Sequence, residues 1–366
     1  MYFNSTDYFN NRKKNFSEQF NYWKFNFGSG CLRLIERALF GFNVSDMLAG
    51  NLSQVIHLQE VKDQVTERRF LENSQMQVLK GSELLSRNSE ASTPQYSFVI
   101  RDAHVDVLTG VILLNSGFIL DSTLAKWQKL LFRGGISSAV KRSKRAKAKI
   151  AGTHMVLPHS PFYYHTLIDE LPNLIKMRET YSDCNSVIVH NIMPKWGLEL
   201  LSYFNFETYI TSEKALIVEN LITLTAPRVV LKDNLNYLRV SLHQNPTDII
   251  IVTRNGTPRS DALIEKALLE EIPAAILIDP AEISVTQQVE VFSKAKAIIG
   301  LHGGALSNVI WMGTSGVLIE IFNHAYRTSD YERLCAELGI SYLNVNGRYQ
   351  DFRSVASEVR AILDGR

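Results

Sequence analysis

From residue 249 to residue 345 the chain alternates between short apolar runs and segments of helical periodicity, with little left over. The runs are Ile249–Thr253, Ala275–Ile278, Ala297–Gly300, Val317–Ile321 and Tyr342–Val345. Between them Asp261–Glu271, Ser284–Lys294 and Ser329–Leu338 read as helices, and another helix opens near Gly304. Strands this short and this uniformly apolar have no polar face to offer water, so they belong in a parallel sheet with helices on both sides. A Rossmann-like lobe is therefore expected over 241–345.

Upstream, the same two periods recur less cleanly. Ala151–Leu157 reads as a strand, and Phe162–Arg178 as a helix that starts after Pro161 and is kinked or divided at Pro172. Asn185–His190 has the pattern of a buried strand and Pro194–Phe204 that of a helix, with further apolar runs reaching Val230. The polar stretch Ser241–Asp248, which contains Pro246, is the expected crossing between lobes. Ahead of all this, Phe98–Arg101, Val105–Leu114 and Gly117–Leu120 are β-type runs between turn formers, the pattern of a small antiparallel meander. The expected plan is α/β. An accessory helical and β-meander region covers 1–150, a first Rossmann-like lobe 151–240, and a second 241–345. A final helix over 346–366, with Phe352, Val355, Val359 and Ile362 at helical spacing, could cross back to the first lobe.

A chain of 366 residues is long enough for two α/β domains with a cleft between them. With 45% hydrophobic and 21% charged residues it is neither a disordered chain nor a membrane bundle. Its 39 basic and 37 acidic residues leave a net charge near +2, which implies no nucleic-acid partner. The concentrated basic run, Lys141 to Lys149, falls between two structured regions. Cys31, Cys184 and Cys335 are odd in number and far apart, which points to a reducing compartment rather than a disulfide framework. The polar, aromatic start from Met1 to Tyr22 has no signal-peptide core, and Leu216–Val230 is broken by Glu219, Asn220 and Pro227. A cytoplasmic protein is expected. Tyr22–Phe42 mixes aromatic and basic residues and could lie on an anionic membrane surface or pack on its own protein.

The clearest local site is Leu301-His302-Gly303-Gly304-Ala305-Leu306-Ser307-Asn308, directly after the strand ending at Gly300. Glycines at the carboxyl end of a parallel strand let a ligand approach the backbone, and the amides of Gly303, Gly304 and Ala305 at a helix start suit a diphosphate. The alternative is close helix packing alone. The segment is neither a dinucleotide fingerprint nor a P-loop, because Gly-x-Gly-x-x-Gly after the first strand and Gly-Lys-Ser are both missing. Arg254 and Arg259, on the turn after Ile249–Thr253, could clamp phosphate oxygens, or could sit on an ordinary solvated turn. Glu320, inside Leu318-Ile319-Glu320-Ile321, is costly to bury unpaired; a ribose diol or one of those two arginines is its expected partner. In Phe162–Pro172, His165 and Asp169 lie four apart on one helical face, with Glu170 turned by about 100°. His165 could deprotonate an acceptor hydroxyl with Asp169 orienting it, or the pair could be structural, and His154 or His159 could instead reach the cleft. No metal-ligand cluster is evident, and the absence of a Gly-x-Ser-x-Gly elbow argues against a serine hydrolase.

Taken in order, Tyr163-Tyr164-His165 with Asp169-Glu170-Leu171-Pro172, Arg254-Asn255-Gly256 with Arg259, His302-Gly303-Gly304-Ala305-Leu306-Ser307-Asn308, and Glu320-Ile321 resemble glycosyltransferase family 61, over roughly residues 96 to 345. The family includes bacterial capsular and lipopolysaccharide-type transferases. Its third motif usually reads His-Gly-Ala-Gly-Leu-Thr-Asn; here Gly304 and Ala305 exchange places with the Ala and Gly, and Ser307 stands for Thr. The resemblance implies a GT-B fold, an inverting transfer with no essential metal or other cofactor, and a nucleotide-sugar donor such as a UDP-sugar. It also implies a saccharide or glycolipid acceptor. His302 and Asn308 then belong to the donor site, Arg254 and Arg259 to the phosphate side, and His165 with Asp169 to the acceptor side. A non-catalytic carbohydrate- or nucleotide-binding module of the same fold, or a two-lobed nucleotide-sugar epimerase, would be built from the same residues.

Overall fold

The structure, a computed structural model, describes residues 65–71, 95–114, 135–224, 235–239, 246–253, 261–322, 327–347 and 351–365. Its second half forms one parallel sheet of five strands: β8 Asp248–Val252, β9 Ala275–Ile278, β10 Ala295–Leu301, β11 Val317–Ile321 and β12 Ser341–Val345. They lie side by side in the order β9-β8-β10-β11-β12, all parallel. Successive side chains of a strand point to opposite faces, and here both faces are apolar. Ile251, Ile299 and Ile319 enter one core with Ile264, Leu268, Val355 and Val359, while Ile250, Ile298 and Leu318 enter another with Val289, Phe292, Leu306 and Trp311. The uninterrupted apolar runs are thus the signature of two covered faces.

The covering helices start where the side chains supply caps. Asp261 accepts the Leu263 and Ile264 amides ahead of the helix Ala262–Glu271, and Ser284 forms a reciprocal capping box with Gln287 ahead of Val285–Ser293. The segment after His302 is not α-helical: Gly304–Trp311 is a 3-10 helix. The last helix, Phe352–Asp364, packs on Ala262–Glu271 through Val355, Ala356 and Val359, within the second lobe. The inward stripe of this helix is buried within the second lobe.

The first sheet is mixed. Its strands are β1 Val65–Leu71, β2 Gln95–Asp106, β3 Val111–Leu113, β4 Lys149–Val156, β5 Ser186–His190, β6 Glu207–Thr211 and β7 Ala215–Leu224, in the order β1-β2-β7-β4-β5-β6 with β3 beside β2. The stretch β7-β4-β5-β6 is parallel, as expected of a Rossmann-like lobe. The accessory region, however, is not a separate unit. β2 pairs antiparallel with β7 along Ser97–Asp106, and Ile100, Val105 and Ile112 share a core with Ile150, Ile188 and Val218. Nor is it a meander: β7 occupies one edge of β2, while β1 and β3 pair with β2 at its two ends. The run Gly117–Leu120 lies outside the described residues, as does Tyr22–Phe42. Gly152, at φ +91°, carries a bulge in β4 and gives its amide to Glu219 Oε2 at 2.6 Å.

Two boundaries differ from expectation for identifiable reasons. The basic run ends one element and starts the next rather than falling between structured regions: Gly135–Lys144 is a helix, Lys149 opens β4, Arg142 pairs with buried Asp106 at 2.5 Å, and Lys149 pairs with Asp102 at 2.7 Å. Arg239 donates to Met312 O and Leu338 O, so the chain has joined the second lobe before the expected crossing at Ser241–Asp248. The lobes meet through an apolar contact: Phe204 stacks on Trp311, Glu199 accepts the Val285 amide at 3.0 Å, and one buried cluster runs from Leu167 and Leu200 to Leu306 and Trp311.

Candidate functional site

Strand order reverses between β8 and β10, because the chain leaves β8 for β9 on one side and returns to β10 on the other. Helices on either side of such a point diverge, leaving a crevice at the carboxyl ends of the strands where ligands bind in open α/β sheets. The loop His302–Gly303 leaves β10 at this point. The His302 amide bonds Ile321 O at 3.0 Å, keeping the loop aligned with β11. The His302 ring stacks on Phe322, and its Nδ1 lies 2.5 Å from Glu320 Oε1. A carboxylate only accepts, so Nδ1 carries the proton in this bond. Glu320 is fully buried and its other oxygen accepts the Tyr342 hydroxyl at 2.7 Å. Burial, and then the Glu320 charge, hold the Tyr342 hydroxyl far above its ordinary range; burial with the same charge pushes the Cys335 thiol up to about 12. Glu320 is therefore not a ribose ligand. Both of its oxygens are used inside the protein, one of them to orient His302.

Beyond His302 the loop is held from beneath. The Tyr331 hydroxyl donates to Gly303 O at 2.6 Å, the Ser307 hydroxyl to Gly304 O at 2.7 Å, and the Leu306 amide to Gly303 O at 3.0 Å. Leu306 makes the first bond of the 3-10 helix, so the amides of Gly304 and Ala305 ahead of it have no helical acceptor. Gly303 is buried, whereas Gly304 and Ala305 are half-buried. Ser307 and Asn308 are fully buried, which corrects their expected place against the donor. Asn308 Oδ1 accepts from Trp311 Nε1 at 3.0 Å and from the Tyr163 hydroxyl at 3.3 Å, tying the second lobe to the first.

The first-lobe segment has an unusual backbone. His165–Glu170 is a π-helical turn, followed by an α-helix over Leu171–Thr180. Pro172 has no N–H for Ile168 O, and the hydrogen-bond register changes where that donor is lost. His165 Nδ1 lies 2.7 Å from Asp169 Oδ2, and both side chains keep some exposure, 31% and 24%. Burial raises the Asp169 carboxyl above its ordinary range, against the pull of His165. Glu170 closes the π-helical turn. It lines a pocket with Asn173, Val156, Pro158 and Thr223. His154 is taken by Ser186 Oγ and Ala151 O on β4. His159 lies near His190 at the carboxyl ends of β4 and β5, held below its ordinary range by burial first and His190 second.

The two segments meet. The Tyr164 ring lies edge-on to Tyr331 at 5.5 Å and to His165 at 5.4 Å, and Tyr331 lies edge-on to His302 at 5.9 Å. A Cβ placed on Gly304 would sit 3.8 Å from the Tyr164 amide nitrogen and 3.9 Å from Tyr163 Cβ. Those are ordinary contacts, so an alanine would fit at this position. Gly300 differs: a Cβ there would lie 3.0 Å from Leu306 and 3.2 Å from both Cβ and O of Val252. Gly300→Ala is expected to cost about 1–3 kcal/mol in urea unfolding, and Gly304→Ala to stay within about 0.5 kcal/mol.

Arg254 and Arg259 lie outside the described residues. At the end of β8 the Thr253 hydroxyl donates to Glu265 Oε2 at 2.8 Å, and Glu265 is 8% exposed. This buried carboxylate at the end of β8 was missed by sequence reasoning, although its place on the inward stripe with Ile264 and Leu268 was a usable signal. Tyr331 was missed as well; a tyrosine on an amphipathic helix carries no mark of what its hydroxyl reaches. Among the described residues, no group of three His, Cys, Asp or Glu side chains could hold a metal ion, Cys184 and Cys335 are free buried thiols, and no helix is long and apolar enough to cross a membrane.

A family model for Glycosyltransferase 61 matches residues 163–319, from the Tyr163 turn to β11. No curated protein matches the sequence. Among solved structures, a flavodoxin-like domain from Synechococcus sp. aligns at 14% identity, covering 32% of this chain and 100% of that one, with a TM-score of 0.25. A diflavin flavoprotein A3 from Nostoc sp. aligns at 10% identity over 34% of this chain and 100% of that one, also at 0.25. Scores this low carry no structural inference.

Proposed function

We propose that this chain, whose residues 163–319 belong to the Glycosyltransferase 61 family, moves a sugar from a nucleotide-sugar donor to a saccharide hydroxyl in a single inverting displacement that requires no metal. The observation that carries the reading is the convergence of two unlike chemistries. A partly exposed His165–Asp169 pair is joined through two ring contacts, His165 to Tyr164 and Tyr164 to Tyr331, to a loop that offers the Gly304 and Ala305 amides. An inverting transfer needs both at once: a base for the attacking hydroxyl on one side of the anomeric carbon, and stabilisation of the departing diphosphate on the other.

In this mechanism Asp169 holds the Nδ1 proton of His165, which leaves Nε2 as the atom that takes the acceptor proton as the oxygen attacks C1. The bond from C1 to the diphosphate oxygen breaks as the new glycosidic bond forms. The developing negative charge is received by the Gly304 and Ala305 amides, by His302 in the orientation Glu320 imposes, and by Arg254 and Arg259. The two lobes would be arranged as in a GT-B enzyme. A UDP-linked donor, an acceptor in cell-surface polysaccharide or glycolipid synthesis, and a cytoplasmic location with peripheral membrane contact follow the family's bacterial members.

The direct test is a panel of nucleotide sugars screened for binding, with products then analysed in the presence of saccharide acceptors. The expected result is acceptor-dependent release of a nucleoside diphosphate and a product whose anomeric configuration is inverted. Binding without turnover would favour a recognition module, and conversion of the free donor without acceptor would favour an epimerase.

A further inference from the structure

We propose that Tyr331 and Ser307 are positioning residues for the leaving diphosphate, each aiming one loop amide by gripping the carbonyl on the opposite side of the same peptide plane. The inference rests on the donor-site reading above. In a trans peptide the C=O and N–H point in opposite directions across a rigid plane. Gly303 O, which takes the Tyr331 hydroxyl at 2.6 Å, belongs to the peptide whose N–H is that of Gly304. Gly304 O, which takes the Ser307 hydroxyl at 2.7 Å, belongs to the peptide whose N–H is that of Ala305. Both hydroxyls come from the interior, since Tyr331 is 2% exposed and Ser307 fully buried. With both carbonyls drawn inward, both amides are turned away from the core.

The two grips act together. Ser307 Oγ and the Tyr331 hydroxyl lie 3.3 Å apart, so one small polar knot orients both donors. Tyr331 is braced on one side by the His302 ring and on the other by Tyr164 of the first lobe. Donors fixed before the ligand arrives need no reorganisation when charge develops, which is the condition under which amides stabilise an oxyanion best. The ligand class is the diphosphate of a nucleoside diphosphate, and the recognised part is its oxygens rather than its base or ribose. The need for a hydroxyl at position 307 follows directly, although the side chain itself never meets the ligand.

The test separates aiming of the phosphate donors from general support of the fold. UDP, GDP, CDP and ADP are screened on the wild-type protein, and the one that binds is compared with its own nucleoside. Tyr331→Phe and Ser307→Ala are expected to raise the Kd of the nucleoside diphosphate roughly tenfold each while the nucleoside Kd stays unchanged, and Ser307→Thr is expected to restore diphosphate binding. Equal weakening of diphosphate and nucleoside, or no weakening of either, would overturn the proposal. Should Tyr331→Phe fail to fold, the Ser307→Ala and Ser307→Thr comparison decides alone. A wild-type protein that binds none of the four nucleotides would overturn the donor-site reading first, and this inference with it.

Discussion

Replacing His165 by alanine is expected to lower turnover by ~10²–10⁴-fold while nucleotide binding persists, the loss that accompanies removal of a general base. The imidazole is held 2.7 Å from Asp169 on a π-helical turn and retains surface at the meeting of the lobes. Asp169→Asn tests the pair differently. The asparagine keeps the shape, but its amide can present an N–H to Nδ1, which favours the wrong tautomer and places the ring proton on Nε2. The expected loss is smaller than for His165→Ala but in the same direction. Burial raises the Asp169 carboxyl, so it takes up a proton at a higher pH than an exposed aspartate does. Activity that depends on the carboxylate is therefore present above that raised value and lost as the pH falls through it. The pH profile of kcat/KM is expected to show this acid limb, and Asp169→Asn is expected to change it. Near-normal turnover in both variants would remove the pair from the chemistry.

Glu320→Ala is expected to have the largest effect on stability, about 3–5 kcal/mol, because it leaves the partners of a fully buried carboxylate without their acceptor. His302 loses the bond that sets its tautomer, and the Tyr342 hydroxyl is stranded. Glu320→Gln keeps the volume and one carbonyl acceptor, so its cost is expected to be about 1–2 kcal/mol. Thermal unfolding of the two variants beside the wild type measures the difference. An exposed ligand-binding glutamate would behave oppositely, with little change in melting temperature and weaker nucleotide binding. A thermally silent Glu320→Ala would mean that the buried arrangement is not the one the protein keeps in solution.

The second sheet is legible in the sequence because both of its faces are covered. Ile249–Val252 and Val317–Ile321 have no polar positions to blur the run except Glu320, and the caps Asp261 and Ser284 mark where helices start. The role of Glu320 is not legible, since the same four-residue context suits a ligand or an internal bond, and only the register that sets it opposite Gly300 decides. The first sheet is harder to read because its pairing is long-range. Nothing local in Ser97–Asp106 announces a partner at Ala215–Leu224, more than a hundred residues on. The His165–Asp169 spacing identifies a pair, whereas its meeting with the Gly304 loop depends on how the lobes touch.

Pairing between β2 and β7 also bears on how the molecule can be divided. The stretch recognised by family likeness, 163–319, omits β2 and β4, the neighbours on both sides of β7. Excising that stretch would leave β7 with two unsatisfied edges, a template for intermolecular association rather than a soluble catalytic fragment. The unit of heredity visible in the likeness is thus smaller than the unit that can stand by itself in water.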